Sequence, residues 1–198
     1  MALPPDIGEL TVAELLDQLA ARTSVPAGGV AAALQAAQSA ALVAMAARFS
    51  VRGRSAEVDR QAGEVAEAAD HVRVRAVALA RDDLAAFEVV KDAWALPQGA
   101  EREGRVREAL VAAAAPPAGV LDVVRELVPL AERLRPLVHV SVAADLAAAM
   151  DAARSAAATS RRNIEANLAR DRDHALLGQL SDVDDLLRRA IDIADPAG

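Results

Sequence analysis

The 198 residues carry a formal net charge of −7, no cysteine, 54% hydrophobic residues and only 2% aromatics. That length fits a single domain over 1–198 with one core. The missing cysteine excludes disulfides, thiolate metal sites and a cysteine nucleophile, and the acidity argues against nucleic acid, whose backbone needs clustered Lys and Arg.

Most of the apolar content is alanine, so the interior has to be built from helices that approach closely through small residues, with strands scarce. The first ten residues hold no basic stretch followed by an apolar run, which leads us to expect a cytoplasmic location.

Thr11 followed by Glu14 reads as a capping box, and Val12, Leu15, Leu16 and Leu19 recur at helical spacing, so a first helix is predicted over 11–22. Pro26, Gly28 and Gly29 break and restart the chain. The second helix, over 29–49, places Leu34, Gln38, Leu42, Met45 and Phe49 on one stripe with alanines around most of the rest, the pattern of a central helix. The uncharged run 23–47 is long enough to span a bilayer of ~30 Å, but Gln35, Gln38 and Ser39 interrupt it and alanine is weakly apolar. A buried core helix, with no membrane partner, is the expectation.

A loop at Gly53 leads into a very long helix over 55–95, stopped by Pro97. Two shorter helices follow, over 101–115 and 117–135; Pro117 occupies a first-turn position of the second, with Pro116 and Pro136 outside it. A second long helix covers 140–170, a last one starts near Ser181 with Asp184 completing a capping pattern, and residues 195–198 should fray. The fold class is all-α, a bundle of about six or seven helices including two long ones.

Some residues break these patterns. In the long helix, Val58, Val65, Val72, Leu79, Ala86 and Ala93 repeat every seven positions, and so do Ala62, Ala69, Ala76, Asp83 and Val90. Asp83 is thus a carboxylate in an apolar seam: either the ion-pair partner of an Arg on a neighbouring helix, or a ligand-facing acid or base.

In the second long helix, Asp151, Arg154, Arg162 and Glu165 form a charged outer stripe, whereas Asp145, Ala149, Ala152, Ala156, Asn163 and Asn167 share a small-residue face. Asp145 suits either a carboxylate near a helix N-terminus or a binding group, and the two asparagines suit interhelical hydrogen bonds. The turn Gly28-Gly29 offers free backbone N–H groups at a helix start, or only close packing. His71, His139 and His174 have no mates at ligand spacing, so no metal site is expected.

Taken together, Leu15-Leu16-Asp17 with Leu19, then Pro26-Ala27-Gly28-Gly29-Val30 with Ala31 and Ala32, resemble the opening of the cyclodeaminase/cyclohydrolase family of tetrahydrofolate enzymes, F-L-D-x-L then P-G-G-G-S-x-A-A. Asp83-Leu84-Ala85-Ala86-Phe87, with Ala93 and Leu96-Pro97 behind it, is similar to the family's D-x-x-A-F segment; Glu108-Ala109 and Pro116-Pro117 are similar to its alanine-rich helix ending in proline. Ala144-Asp145-Leu146, then Asn163-Ile164 and Asn167-Leu168, are similar to S-D-L and N-V-x-x-N-L. The resemblance covers 11–168 and leaves 171–198 as a C-terminal helical tail.

The resemblance implies an all-α homodimer that binds a reduced folate, a tetrahydrofolate derivative as substrate, and either cyclises its formimino group with release of ammonia or hydrates its methenyl group. It implies Asp83 as the catalytic carboxylate and Gly28, Gly29, His139, Asp145, Asn163 and Asn167 on the substrate side. Asp145 would anchor the pterin and the glycine turn would supply N–H donors. Ala27 stands where the family has glycine, Val30 and Ala144 where it has serine, and His139 where it has asparagine. A non-catalytic relative, a helical homodimer that binds a ligand or partner without turnover, is therefore the alternative reading.

Overall fold

The computed structural model describes residues 7–23, 25–51 and 55–195. The expected loop at Gly53 and residues 196–198 lie outside them. The helices are α1 (Val12–Ala20), α2 (Gly28–Ser50), α3 (Ala56–Ala95), α4 (Ala100–Ala112), α5 (Ala115–Leu134), α6 (Ala143–Asn167), α7 (Ala175–Gly178) and α8 (Val183–Ala194), with a 3₁₀ turn at Val140–Val142 before α6. No strand occurs among the described residues. The all-α bundle read in the sequence is present, and α3 and α6 are its two longest helices, at 40 and 25 residues.

α2 is the central element, packed by α3, α5 and α6, while α5 also contacts α3 and α6 and α8 covers α6 and α5. Its inward faces are alanine and valine, among them Val30, Ala33, Ala36, Ala40, Val43 and Ala47, all out of solvent. The larger side chains that fill the space between helices come from Leu121, Leu127 and Leu134 of α5 and Met150 and Ile164 of α6. Both seven-residue repeats of α3 turn inward: Val65, Ala69, Val72, Ala76 and Val90 are buried.

The stripe Leu34, Gln38, Leu42, Met45 and Phe49 behaves differently. It forms the outer side of α2, with Gln38 and Phe49 exposed and the other three half-buried. The bulky residues face out because three neighbouring helices can close on α2 only through its alanines. The central helix thus presents an apolar face that the described residues cover only in part along Leu34, Leu42 and Met45.

Several boundaries differ from the sequence reading. α1 keeps its capping box, with Thr11 N–H donating to Glu14 at 2.8 Å, but it ends at Ala20 and buries none of its residues. α5 starts at Ala115 and takes both Pro116 and Pro117 into its first turn, where a missing N–H costs nothing. α6 begins after a separate 3₁₀ turn and stops at Asn167.

The capping pattern expected at Ser181 and Asp184 does not form. Asp182 is the residue before α8 and makes no cap, because Arg125 holds its carboxylate at 2.7 and 2.8 Å, and Asp184 pairs instead with Arg161 of α6 at 2.6 Å. The four-residue α7 had no legible signal.

Candidate active site

α2 opens without a side-chain cap. Ala27 has no polar atom to offer, and the helix's first hydrogen bond runs from Ala31 N–H to the Ala27 carbonyl at 3.1 Å, so the N–H groups of Gly28, Gly29 and Val30 have no partner within the helix. Asp83, from the apolar seam of α3, fills this position from outside. Its carboxylate accepts the Val30 N–H.

The contact depends on Gly29. A Cβ there would lie 2.0 Å from Asp83 Oδ1 and 2.4 Å from both Cγ and Oδ2, so the carboxylate stands where any other residue's side chain would begin. The glycine serves close approach, not an unusual backbone angle. Burial pushes the Asp83 carboxyl up to about 6, and the Val30 N–H offsets only part of that. Among the described residues no cation lies within salt-bridge distance of it, so the ion-pair role is not the one this carboxylate plays.

This geometry makes Gly29→Ala informative. The new methyl should turn Asp83 away from Val30 and return its carboxyl toward the ordinary carboxylate range, leaving a folded helical protein without the buried acid. Circular dichroism should be unchanged while the titration of Asp83, followed by NMR, moves down by at least one pH unit. An Asp83 that still titrates near 6 would refute the close-contact account.

On the other side of the turn, Gly28 faces α6. A Cβ on Gly28 would sit 3.9 Å from both Asn163 Oδ1 and Thr159 Cγ2. The Asn163 amide makes no hydrogen bond to the described residues, so it is half-buried and uncommitted beside the free N–H groups of α2. Thr159, one helical turn before Asn163, was not nominated from the sequence; its i,i+4 relation to Asn163 was the available signal. The half-buried acid, backbone donors and free amide therefore meet at one end of the bundle.

The remaining nominated residues lie elsewhere. Asn167 Nδ2 donates to the Ala113 carbonyl at 2.9 Å and ties the end of α6 to the α4–α5 junction. His139 precedes the 3₁₀ turn, where its Nδ1 accepts the Ser141 N–H at 3.2 Å, and its own backbone N–H donates to Ser50 Oγ at 3.0 Å. Asp145 follows in the first turn of α6. Ser50 ends α2, so His139 and Asp145 sit at the opposite end of a 23-residue helix from Gly28, about 33 Å away along its axis. Within one chain they do not join Asp83. No three His, Asp or Glu side chains converge as a metal site among the described residues.

A family model described as formiminotransferase-cyclodeaminase matches residues 11–183. The chain belongs to the formiminotransferase-cyclodeaminase family. A methenyltetrahydrofolate cyclohydrolase of Methylorubrum extorquens is 30% identical over 166 residues, covering 81% of this chain and 80% of that protein. The crystal structure of formiminotetrahydrofolate cyclodeaminase from Thermotoga maritima matches with a TM-score of 0.86 and 25% identity, over 96% of both chains. The resemblance read over 11–168 holds and extends to the start of α8.

The departures from the family pattern can now be placed. Val30 buries its side chain completely and uses its backbone N–H on Asp83, so losing the serine removes a hydroxyl but keeps this backbone donor. His139 spends its ring nitrogen on Ser141, and Ala144 is exposed in the first turn of α6. Asp83 and its contact with Gly29 are present, while polar groups of the family pattern are missing both at that end, at Val30, and at the opposite end of α2, at Ala144.

Proposed function

We propose that this protein is a cytoplasmic, homodimeric folate-dependent one-carbon enzyme that makes or breaks a carbon–nitrogen bond at a carbon bridging two folate nitrogens, as in methenyltetrahydrofolate hydrolysis or formiminotetrahydrofolate cyclodeamination. The observation that carries it is a half-buried Asp83 carboxyl with no cation beside it among the described residues, pushed up to about 6, against the open first turn of α2. Names borne by the relatives point to the same chemistry.

In the hydrolytic reaction a water oxygen bonds to the bridging carbon while one water proton passes to the Asp83 carboxylate. The carbon–nitrogen bond then breaks with its electron pair going to the folate nitrogen, which takes that proton from Asp83 as the hydroxyl proton leaves to solvent. In cyclodeamination the second folate nitrogen attacks the carbon of the protonated formimino group, its proton passes through the same carboxylate to the resulting amino group, and the carbon–nitrogen bond breaks with its electron pair leaving on ammonia, which gives the methenyl cation. Gly28 and Gly29 N–H groups and the Asn163 amide are placed to hold polar atoms of the substrate. Asp145, with its fork of acceptor oxygens, suits the adjacent N–H donors of a pterin.

Two features support a second copy of the chain. The outer face of α2 is apolar along Leu34, Leu42, Met45 and Phe49. The polar residues are also divided between the two ends of that helix. If two α2 helices pair antiparallel on this face about a two-fold axis near Gln38, the Gly28 end of one meets the Ser50 end of the other. His139 of the partner subunit and Asp145 of the partner subunit then approach Asp83, and Asn167 remains a structural support of the same end.

The test is a reduced-folate titration by thermal shift together with a turnover assay. Binding confined to the native state stabilises the fold by mass action, by about 2.7 kcal/mol at a hundredfold excess over Kd, and so raises the melting temperature. Decay of the methenyl chromophore identifies the hydrolase, and ammonia release from the formimino substrate identifies the cyclodeaminase. The missing hydroxyls at Val30 and Ala144 favour the alternative, a non-catalytic relative, which predicts a thermal shift with neither product. No shift at all would reject the folate reading.

A further inference from the structure

A second feature, which the steps above leave unused, lies further along α3 from Asp83. α2 stops at Gly28, but α3 continues beyond Asp83 to Ala95, and α6 and the turn after it run past Asn163 to Arg170. Phe87 and Trp94 follow Asp83 by four and eleven positions, which keeps them within about 40° of its direction around the helix. Their rings meet edge to face with centroids 5.8 Å apart. Trp94 is 43% exposed and lies about 16 Å beyond Asp83 along the helix axis.

At that point there is a cavity of about 280 Å³ lined by Trp94, Gln98, Gly99, Arg102, Glu103, Val106 and Arg170. In this acidic chain most arginines are held by carboxylates, for example Arg75 by Glu126, Arg125 by Asp182 and Arg189 by Glu132. Arg102 and Arg170 have no such partner among the described residues, and neither lies within salt-bridge distance of Glu103. α4 starts at the cavity from Gly99, which caps nothing with a side chain. Two free guanidinium groups from separate elements, an exposed indole and a helix start thus share one concave surface, in line with the reactive end.

We infer that this cavity is the subsite for the glutamate end of the substrate's aryl-glutamate arm: Arg102 and Arg170 take the glutamate carboxylates beside the indole of Trp94. The inference rests on the folate reading above. An extended arm of this kind, equivalent to about three residues of chain at ~3.5 Å each, reaches ~10 Å from the reacting nitrogen, and the length of an arginine side chain covers most of the remainder. The guanidinium fork matches a carboxylate in geometry as well as charge. Neither arginine is held in an ion pair among the described residues, so their replacement is expected to isolate binding.

The experiment compares the full-length protein with R102Q, R170Q and the double variant, using p-aminobenzoyl-glutamate and p-aminobenzoate as calorimetric probes and the reduced folate substrate for kinetics. The chain has one tryptophan, so intrinsic fluorescence reports on Trp94 alone. The expected result is saturable binding of p-aminobenzoyl-glutamate with a change in Trp94 emission, at least tenfold weaker binding of p-aminobenzoate, and a loss of about tenfold or more in probe affinity with a matching rise in KM for each single variant. The value of kcat should stay within about twofold and the melting temperature should not move. A wild-type protein that shifts on reduced folate, paired with a double variant of unchanged probe affinity and KM, would overturn the subsite and leave the proposed function standing. Equal affinity for the two probes would also overturn it. No response of the wild type to reduced folate would remove both readings.

Discussion

Asp83→Asn is expected to lower turnover by about 10²–10⁴-fold, the usual contribution of a general acid or base, while leaving the fold at least as stable as the parent at neutral pH. Asparagine keeps the shape and an oxygen to accept the Val30 N–H, so the open turn of α2 stays capped. What it removes is a group that burial holds up at about 6, against 3.8 for an ordinary aspartate. Between those values the folded chain keeps a proton that the unfolded chain has released. Stability from this group is therefore fully present at the acid end of the window and is lost as pH rises through about 6. The parent should show that downward slope in melting temperature between pH 4 and 6 on top of its other titrations, and the variant should lack it.

An aspartate serving as the partner of a buried arginine predicts the opposite. Its loss would strand a charge and cost about 3–5 kcal/mol at every pH above the carboxylate range. No cation within salt-bridge distance of Asp83 is found among the described residues, so that cost is not expected. Activity retained within tenfold in Asp83→Asn, or a large fall in its melting temperature at pH 7.5, would remove Asp83 from the mechanism.

Asp83 was legible because a charge interrupts an apolar seven-residue repeat, and a seam position says that the side chain points inward. The repeat does not say what lies opposite. That it is the backbone of Gly29, not an arginine, depends on where α2 starts relative to α3. Asn163 and Asn167 show the same limit: they share residue type, helix face and four-residue spacing, yet one looks into the open turn of α2 and the other closes the α4–α5 junction. Helical periodicity fixes the face of a residue and leaves its neighbour undetermined. The outward stripe of α2 was legible as a stripe, but its direction was not, because leucine and methionine normally mark the buried side and here alanine does. The failed capping pattern at Ser181 has the same origin, since Arg125 competes for Asp182 from 57 positions away.

The second large effect expected is complementation between two inactive variants. If the site is completed across a two-fold axis, Asp145→Asn should lose most of its activity although Asp145 is some 33 Å along α2 from Asp83 in its own chain. Asp83→Asn and Asp145→Asn, unfolded together and refolded as an equal mixture, give mixed dimers as about half of the population. In each mixed dimer one site collects both substitutions and the other collects neither, so about a quarter of parental activity should return. If every site lay within a single chain, each site in the mixed dimer would carry one lesion and nothing would return. The geometry has its own check: the chain lacks cysteine, so Gln38→Cys introduces a single thiol beside the proposed axis and should cross-link two subunits through a short bismaleimide. A monomer by light scattering at micromolar concentration would sink the composite site outright. A dimer that cross-links at position 38 without complementing would keep the interface and return Asp145 to its structural role at the start of α6, where a carboxylate is favoured by the helix dipole alone.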